Sequence, residues 1–141
     1  MPDIPRRKIG LISCSGEERP EGTVTRRAVR RVLETLRPDD TVTLCLPLFL
    51  AGGEGERAFA RHYPTIAVDG CSKRCAALAT EKHSAEPAAS IVVSEISGNA
   101  AGAGIGTARN LNEAGLRLTE AVAGKIAGEA DRLLKRKPRG R

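Results

Sequence analysis

The feature that most narrows the fold of this chain is a fourfold alternation. Four short apolar runs, at residues 8–13, 41–46, 65–69 and 89–94, are separated by segments of helical periodicity or helix-forming composition. Each run has the length of a buried strand and is bounded by charged or turn-forming residues. Strands alternating with helices predict a parallel sheet covered on both faces, because each crossover must return over one face of the sheet. Right-handed crossovers leave few topologies, and strand order 2-1-3-4 is the expected one. The expected fold class is therefore α/β. It is a single three-layer domain over residues 1–141, with a four-stranded parallel sheet and a long C-terminal helix.

The helical segments carry their own signals. Val24, Ala28, Val29, Val32, Leu33 and Leu36 recur at spacings of three and four, with Arg26, Arg27, Arg30 and Arg31 on the other side. Thr23 or Thr25 is the expected cap of that helix, and Pro38 its stop. Glu56 to His62 reads as one or two helical turns ended before Pro64. A helix is expected from Ser72 to about Lys82, rich in the strong formers Ala76, Ala77, Leu78 and Ala79. The last helix is expected from about Thr107 to Leu134, with the stripe Leu111, Leu118, Val122, Ile126, Ala130 and Leu133. Before it lies a glycine-rich stretch, 98–106. Gly102, Gly104 and Gly106 follow a strand and open a helix, but their spacing is not the dinucleotide fingerprint, and they follow the fourth strand of the unit rather than the first. The stretch reads as a flexible connection; a flap or an anion-binding helix start is the functional alternative.

Aromatic residues make up only 2% of the chain, so the core must be aliphatic. The net charge is +6, but five of the positive residues fall in the tail 135–141, and without them the balance is about +1. This is a solvated basic tail and not a nucleic-acid-binding face, and the stacking aromatics of a single-strand binder are missing. Residues 1–8 are basic without a following apolar stretch, which does not read as a secretory signal. No run approaches the roughly 20 apolar residues that span a bilayer. The expectation is a cytoplasmic protein with no membrane partner, whose cysteines stay reduced.

The four cysteines fall at comparable places in this pattern. Cys14 closes the first apolar run, Cys45 lies near the end of the second, Cys71 follows the third, and Cys75 comes four residues later. In a parallel sheet of order 2-1-3-4 they gather at the carboxyl edge, where such folds bind ligands, with Cys14 in the middle. Cys71 and Cys75 on one helix would present both sulfurs on one face, their Cα atoms about 6 Å apart. Zinc in a structural site takes four ligands in a tetrahedron, at about 2.3 Å for each thiolate sulfur. The leading expectation is one Zn2+ held by Cys14, Cys45, Cys71 and Cys75. An iron–sulfur cluster is the other inorganic option. A thiol enzyme, working by thiol–disulfide exchange or sulfur transfer, is the second class. Cys71 is its best nucleophile, at an expected helix start beside Lys73 and Arg74. The plain reading is four small buried apolar side chains.

Asp69-Gly70-Cys71 followed by Cys75, with Ser13-Cys14-Ser15-Gly16 near the start and Cys45 between, resembles the DGC domain family. That family is named for its central Asp-Gly-Cys and carries four cysteines associated with zinc chelation. The resemblance covers about residues 8–96. It implies Cys14, Cys45, Cys71 and Cys75 as ligands and implies no activity. The chain departs from the pattern at Glu17, Glu18 and Arg19 in the first loop, and its C-terminal helix extends beyond the shared region.

Other polar residues are secondary candidates. Asp69 could accept backbone N–H bonds beside the cysteines, or serve as an ordinary turn residue. Gly70 would allow tight backbone passage. Glu95 could reach the same edge. His62 and His83 are possible ligands whose plain reading is surface histidine. Cys14 and Arg19 between a strand and a helix resemble the phosphate loop of low-molecular-weight tyrosine phosphatases. One residue too few separates them, and Glu17 and Glu18 would repel a phosphate.

Overall fold

The computed structural model describes residues 7–14, 16–97 and 102–136 of the chain. Strands β1 (Ile9–Ser13), β2 (Thr41–Thr43), β3 (Thr65–Asp69) and β4 (Ala89–Val92) form one parallel sheet in the order β2-β1-β3-β4, as the sequence predicts. The α-helices are α1 (Pro20–Arg31), α2 (Leu46–Ala51), α3 (Glu54–Arg57), α4 (Phe59–His62), α5 (Cys75–His83), α6 (Val93–Ser97) and α7 (Glu113–Lys135). Among the described residues no helix is long and apolar enough to cross a membrane.

The period-two alternation of a strand divides the core in two. Ile9 and Leu11 of β1, with Ile66 and Val68 of β3, join Val24, Ala28, Val122, Ile126 and Ala130 of α1 and α7 in one cluster. Ile12 and Ala67 point the other way, onto Leu46, Phe49, Ala76 and Ala77 of α2 and α5. At Gly10, a Cβ would come within 2.5 Å of Phe59 Cε1. Helices therefore cover both faces of the sheet, and the long α7 supplies a large part of the first layer. Beyond α1 the chain is tied to α7 by Arg37, whose Nε and Nη2 donate to the two carboxylate oxygens of Asp131 at 2.7 Å each.

Several boundaries differ from expectation, each for a local reason. Neither Thr23 nor Thr25 caps α1; the helix opens earlier, with Pro20 in its first turn, where a fixed φ and a missing N–H carry no penalty. The Thr25 hydroxyl instead donates to Gly22 O at 2.6 Å. Beyond Arg31 the chain winds into a π-helical segment, Val32–Leu36, closed by Arg37 N–H to Val32 O at 2.8 Å, and Pro38 follows as the expected stop.

The second apolar run splits. Only Thr41–Thr43 pairs in the sheet, and Leu46-Pro47 begins α2 because proline suits a first helical turn. The fourth run likewise ends its strand at Val92 and turns into α6. The third crossover helix starts at Cys75, not Ser72, behind Arg74 in the left-handed conformation (φ 52°, ψ 48°).

Residues 107–112 do not belong to the last helix. Gly106, at φ 105°, pairs with Leu111 in an isolated bridge, and Asn112 caps α7 by accepting from Gly115 N–H at 3.0 Å. Val122, Ile126, Ala130 and Leu133 of the predicted stripe are buried. Gly102–Ile105 of the glycine-rich stretch forms a 3-10 turn. The rest of that stretch at 98–101, the tail at 137–141, residues 1–6 and Ser15 lie outside the described residues.

Candidate metal centre

β1 lies between β2 and β3, so the carboxyl ends of β1 and β3 meet at the switch point of the sheet, where folds of this kind bind ligands. Cys14 extends β1 by one residue and donates its N–H to Val68 O at 2.9 Å. Its side chain is 9% exposed. The sulfur accepts the Gly70 N–H at 3.4 Å and lies 3.7 Å from Thr25 Oγ1. Burial raises the Cys14 thiol above its ordinary pKa. The bonds from Gly70 and Thr25 pull the other way, and the nearby Asp69 and Cys75 charges add to the rise. Cys14 therefore holds its proton more tightly than a free thiol.

Asp69 ends β3 fully buried and turns its carboxylate onto the start of α5. Its Oδ1 accepts from Ala76 N–H at 2.7 Å and its Oδ2 from Ala77 N–H at 3.1 Å. The carboxylate thus does the work of a helix cap across the intervening turn. Burial raises the Asp69 pKa, while the two amide bonds and Arg74 oppose the rise. Gly70 is needed for a different reason. A Cβ there would meet Glu21 C and Cβ at 3.0 Å, because the first turn of α1 rests on the Asp-Gly-Cys turn. A matching contact joins Gly22 to Gly16, where a side chain on Gly22 would occupy the Gly16 backbone. Three glycines therefore bring the β1–α1 loop and the β3–α5 turn together.

Cys71 follows in that turn, half-buried, its carbonyl accepting from Arg74 N–H at 3.1 Å. Cys75 is exposed at the first position of α5. Cys71 and Cys75 do not share a helix, so the one-face geometry and the helix-start activation of Cys71 expected from their spacing do not apply. Between the loop and the turn lies a pocket of about 290 Å³. Cys14, Cys71, Cys75, Asp69, Arg19 and Lys73 line it, together with Leu46 and the Glu18 and Glu21 side chains.

Cys45 is placed differently. It is exposed, holds the N-cap position of α2, and does not line the pocket, although its neighbour Leu46 does. The fold thus brings three of the four expected ligands to one wall and leaves the fourth at its margin. Among the described residues, no three His, Cys, Asp or Glu groups stand together as a ready-made metal cage.

His62 and His83 belong elsewhere: His62 meets the Tyr63 ring edge-on at 4.5 Å, and His83 meets Phe49 at 6.4 Å. Glu95 is not on the pocket wall. Sequence reasoning missed Thr25, Glu21 and Leu46. The signal that could have found the first two was the Gly16/Gly22 pair, which seats the start of α1 against the cysteine turn.

A family model for the DGC domain matches residues 10–114 of the chain. The chain belongs to the DGC domain family. The match covers about three quarters of the sequence and reaches past the expected limit at residue 96. It takes in α6 and the 3-10 turn and ends at the second residue of α7. No curated protein and no solved structure matches the chain.

Proposed function

We propose that this DGC domain protein binds one zinc ion through cysteine thiolates at the carboxyl edge of its sheet, as a structural, sensing or carrier site. The observation that carries the reading is the shared pocket of Cys14, Cys71 and Cys75, one thiol and a pair far from it in sequence, at the β1/β3 switch point. The donor chemistry fits: thiolates suit a soft or borderline cation, and no compensating core role explains the two thiols left accessible there. Arg19, Lys73 and Arg74 share that wall with the carboxyl groups of Glu18, Glu21 and Asp69, so that its charged residues other than the thiols balance in number. When bound, zinc would hold the β1–α1 loop and the β3–α5 turn together. Asp69 keeps the second of these in place through its bonds to α5, and Gly70 steadies the Cys14 sulfur.

Elemental analysis of protein purified without chelator tests this. About one equivalent of zinc is expected, falling steeply in Cys71→Ser and Cys75→Ser, with a lower unfolding midpoint after chelation. Metal-free protein whose Cys71 alkylates much faster than the other thiols would support the thiol-enzyme reading instead. A brown protein with visible absorption would replace zinc by an iron–sulfur cluster.

A further inference from the structure

The layer of α2 and α5 presents apolar side chains to solvent. Residues 41–53 hold no charged side chain, in a chain where 28% of residues are charged. Within that stretch α2 is built from apolar residues only. Leu46 and Phe49 are buried, while Pro47, Leu48, Leu50 and Ala51 are exposed. A helix that is apolar on every side belongs in a buried setting. Beside it, α5 contributes Ala76 and Ala77 to the cluster of Leu46 and Phe49, and exposes Leu78. Among the described residues the exposed large apolar side chains are Leu48, Leu50, Leu78 and Leu116, and the first three share this layer.

We propose that a second copy of this chain docks on that face, α2 and α5 of one protomer against α2 and α5 of its partner. Charge selects this occupant. The chain carries a net charge of +6, so two copies meet favourably only through a face without excess charge. Helices α2 to α5 carry Glu54, Glu56 and Glu81 against Arg57, Arg61 and Lys82, a balance of three and three. Arg74, at the N-cap of α5, turns to Ser90 Oγ on β4 at 3.2 Å. A rim holding both signs can pair with its own copy across a two-fold axis, whereas a strongly acidic or basic partner would find no matching field there. A membrane surface is a poorer match. Interfacial helices back their apolar face with Lys and Arg, and α2 has neither. The footprint is small, since α2 and α5 are only about 9 and 14 Å long. That falls short of the ~800 Å² per partner of a standard interface, so the dimer is a reversible one.

Sedimentation equilibrium of the full chain tests this, in reductant so that Cys45 and Cys75 form no disulfide between copies. Half-dissociation is expected between about 1 and 100 µM, as suits a small interface. Leu48→Glu and Leu78→Glu should each weaken the dimer about tenfold or more, while Leu116→Glu, on α7 in the other layer, should stay within about twofold of wild type. All three variants should unfold close to the wild-type midpoint, because these side chains are exposed. Raising salt from about 0.05 to 0.5 M should shift the dissociation constant less than about threefold, since the centre of the face is uncharged. A wild-type chain that stays monomeric at about 500 µM refutes the proposal, as does a dimer that Leu116→Glu disrupts as much as Leu48→Glu. A monomer that sediments with phosphatidylcholine vesicles, and is released from them by Leu48→Glu, would assign the face to a membrane instead. None of these readings depends on metal content, so the zinc site stands or falls separately.

Discussion

Alanine substitution at three glycines should have opposite effects on stability at different places in this molecule. At Gly22 a Cβ would lie inside the Gly16 main chain, within 2.5 Å of its C and Cα atoms. No rotamer can relieve this, since the obstacle is backbone, so the first turn of α1 must shift away from the β1–α1 loop. Overpacking of a filled site costs about 1–3 kcal/mol, and a backbone obstacle belongs at or above the upper end, so Gly22→Ala should lose about 2–4 kcal/mol. Gly124 and Gly128 lie within α7, and a Cβ at either meets nothing within 4 Å. There the same substitution should gain about 0.5–1 kcal/mol each, from helix propensity and a less flexible unfolded chain. Equilibrium unfolding in urea with chelator present measures all three variants against wild type, and a constant m-value shows that only stability has changed. The reasoning is refuted if Gly22→Ala unfolds at the wild-type midpoint, or if it is no less stable than Gly128→Ala.

Ile126→Ala removes a fully buried side chain of α7 from the main core and should cost about 2–5 kcal/mol by chemical denaturation; a loss below about 1 kcal/mol would mean that α7 is not integral to the fold. The bidentate Arg37 guanidinium holds the Asp131 carboxyl below the ordinary aspartate value of 3.8. A lowered folded-state pKa contributes stability that is complete above the unfolded value and is lost as pH falls through the folded one. The stability gap between wild type and Asp131→Asn should therefore be constant from pH 7 to about 5 and narrow below about 4, and a gap that widens on acidification refutes the linkage. Arg74 has a left-handed backbone (φ 52°), which costs an L-residue roughly 1–2 kcal/mol against roughly 0.5–1 kcal/mol for the added freedom of glycine when unfolded. Arg74→Gly should accordingly raise the unfolding midpoint of the metal-free protein slightly, and a clear loss of stability would show that the side chain matters more than the conformation.

The architecture was legible because it rests on periodicity. Short apolar runs around Ile9–Ser13 and Thr65–Asp69 alternate with helical segments, and Val122, Ile126, Ala130 and Leu133 recur as a helix face must, so the layers followed from the pattern and the strand order from right-handed crossovers. The misjudged boundaries lie where a side chain overrides periodicity. Pro20 opened α1 early, Pro47 broke the second apolar run, and the Gly106–Leu111 bridge delayed α7 to Asn112. The candidate site was legible as a set of residues more than as an arrangement. Strand-end position brought Cys14, Cys71 and Cys75 to one pocket. The four-residue spacing of the last two suggested a shared helix, but Asp69 caps α5 from outside and keeps Cys71 in the turn before it. Cys45 was misplaced by the same error that made β2 too long: once Leu46 starts a helix, its neighbour becomes a cap instead of a strand end.

The graded exposure of the sulfurs supplies labels already built into the chain. With any ion removed, a bulky alkylating reagent should modify the exposed Cys45 and Cys75 sooner than the half-buried Cys71. Cys14, the most buried of the four on the pocket wall beside Gly70, should react slowest. Mass spectrometry of a labelling time course would then read the order in which these positions open from a single sample, without an added fluorophore.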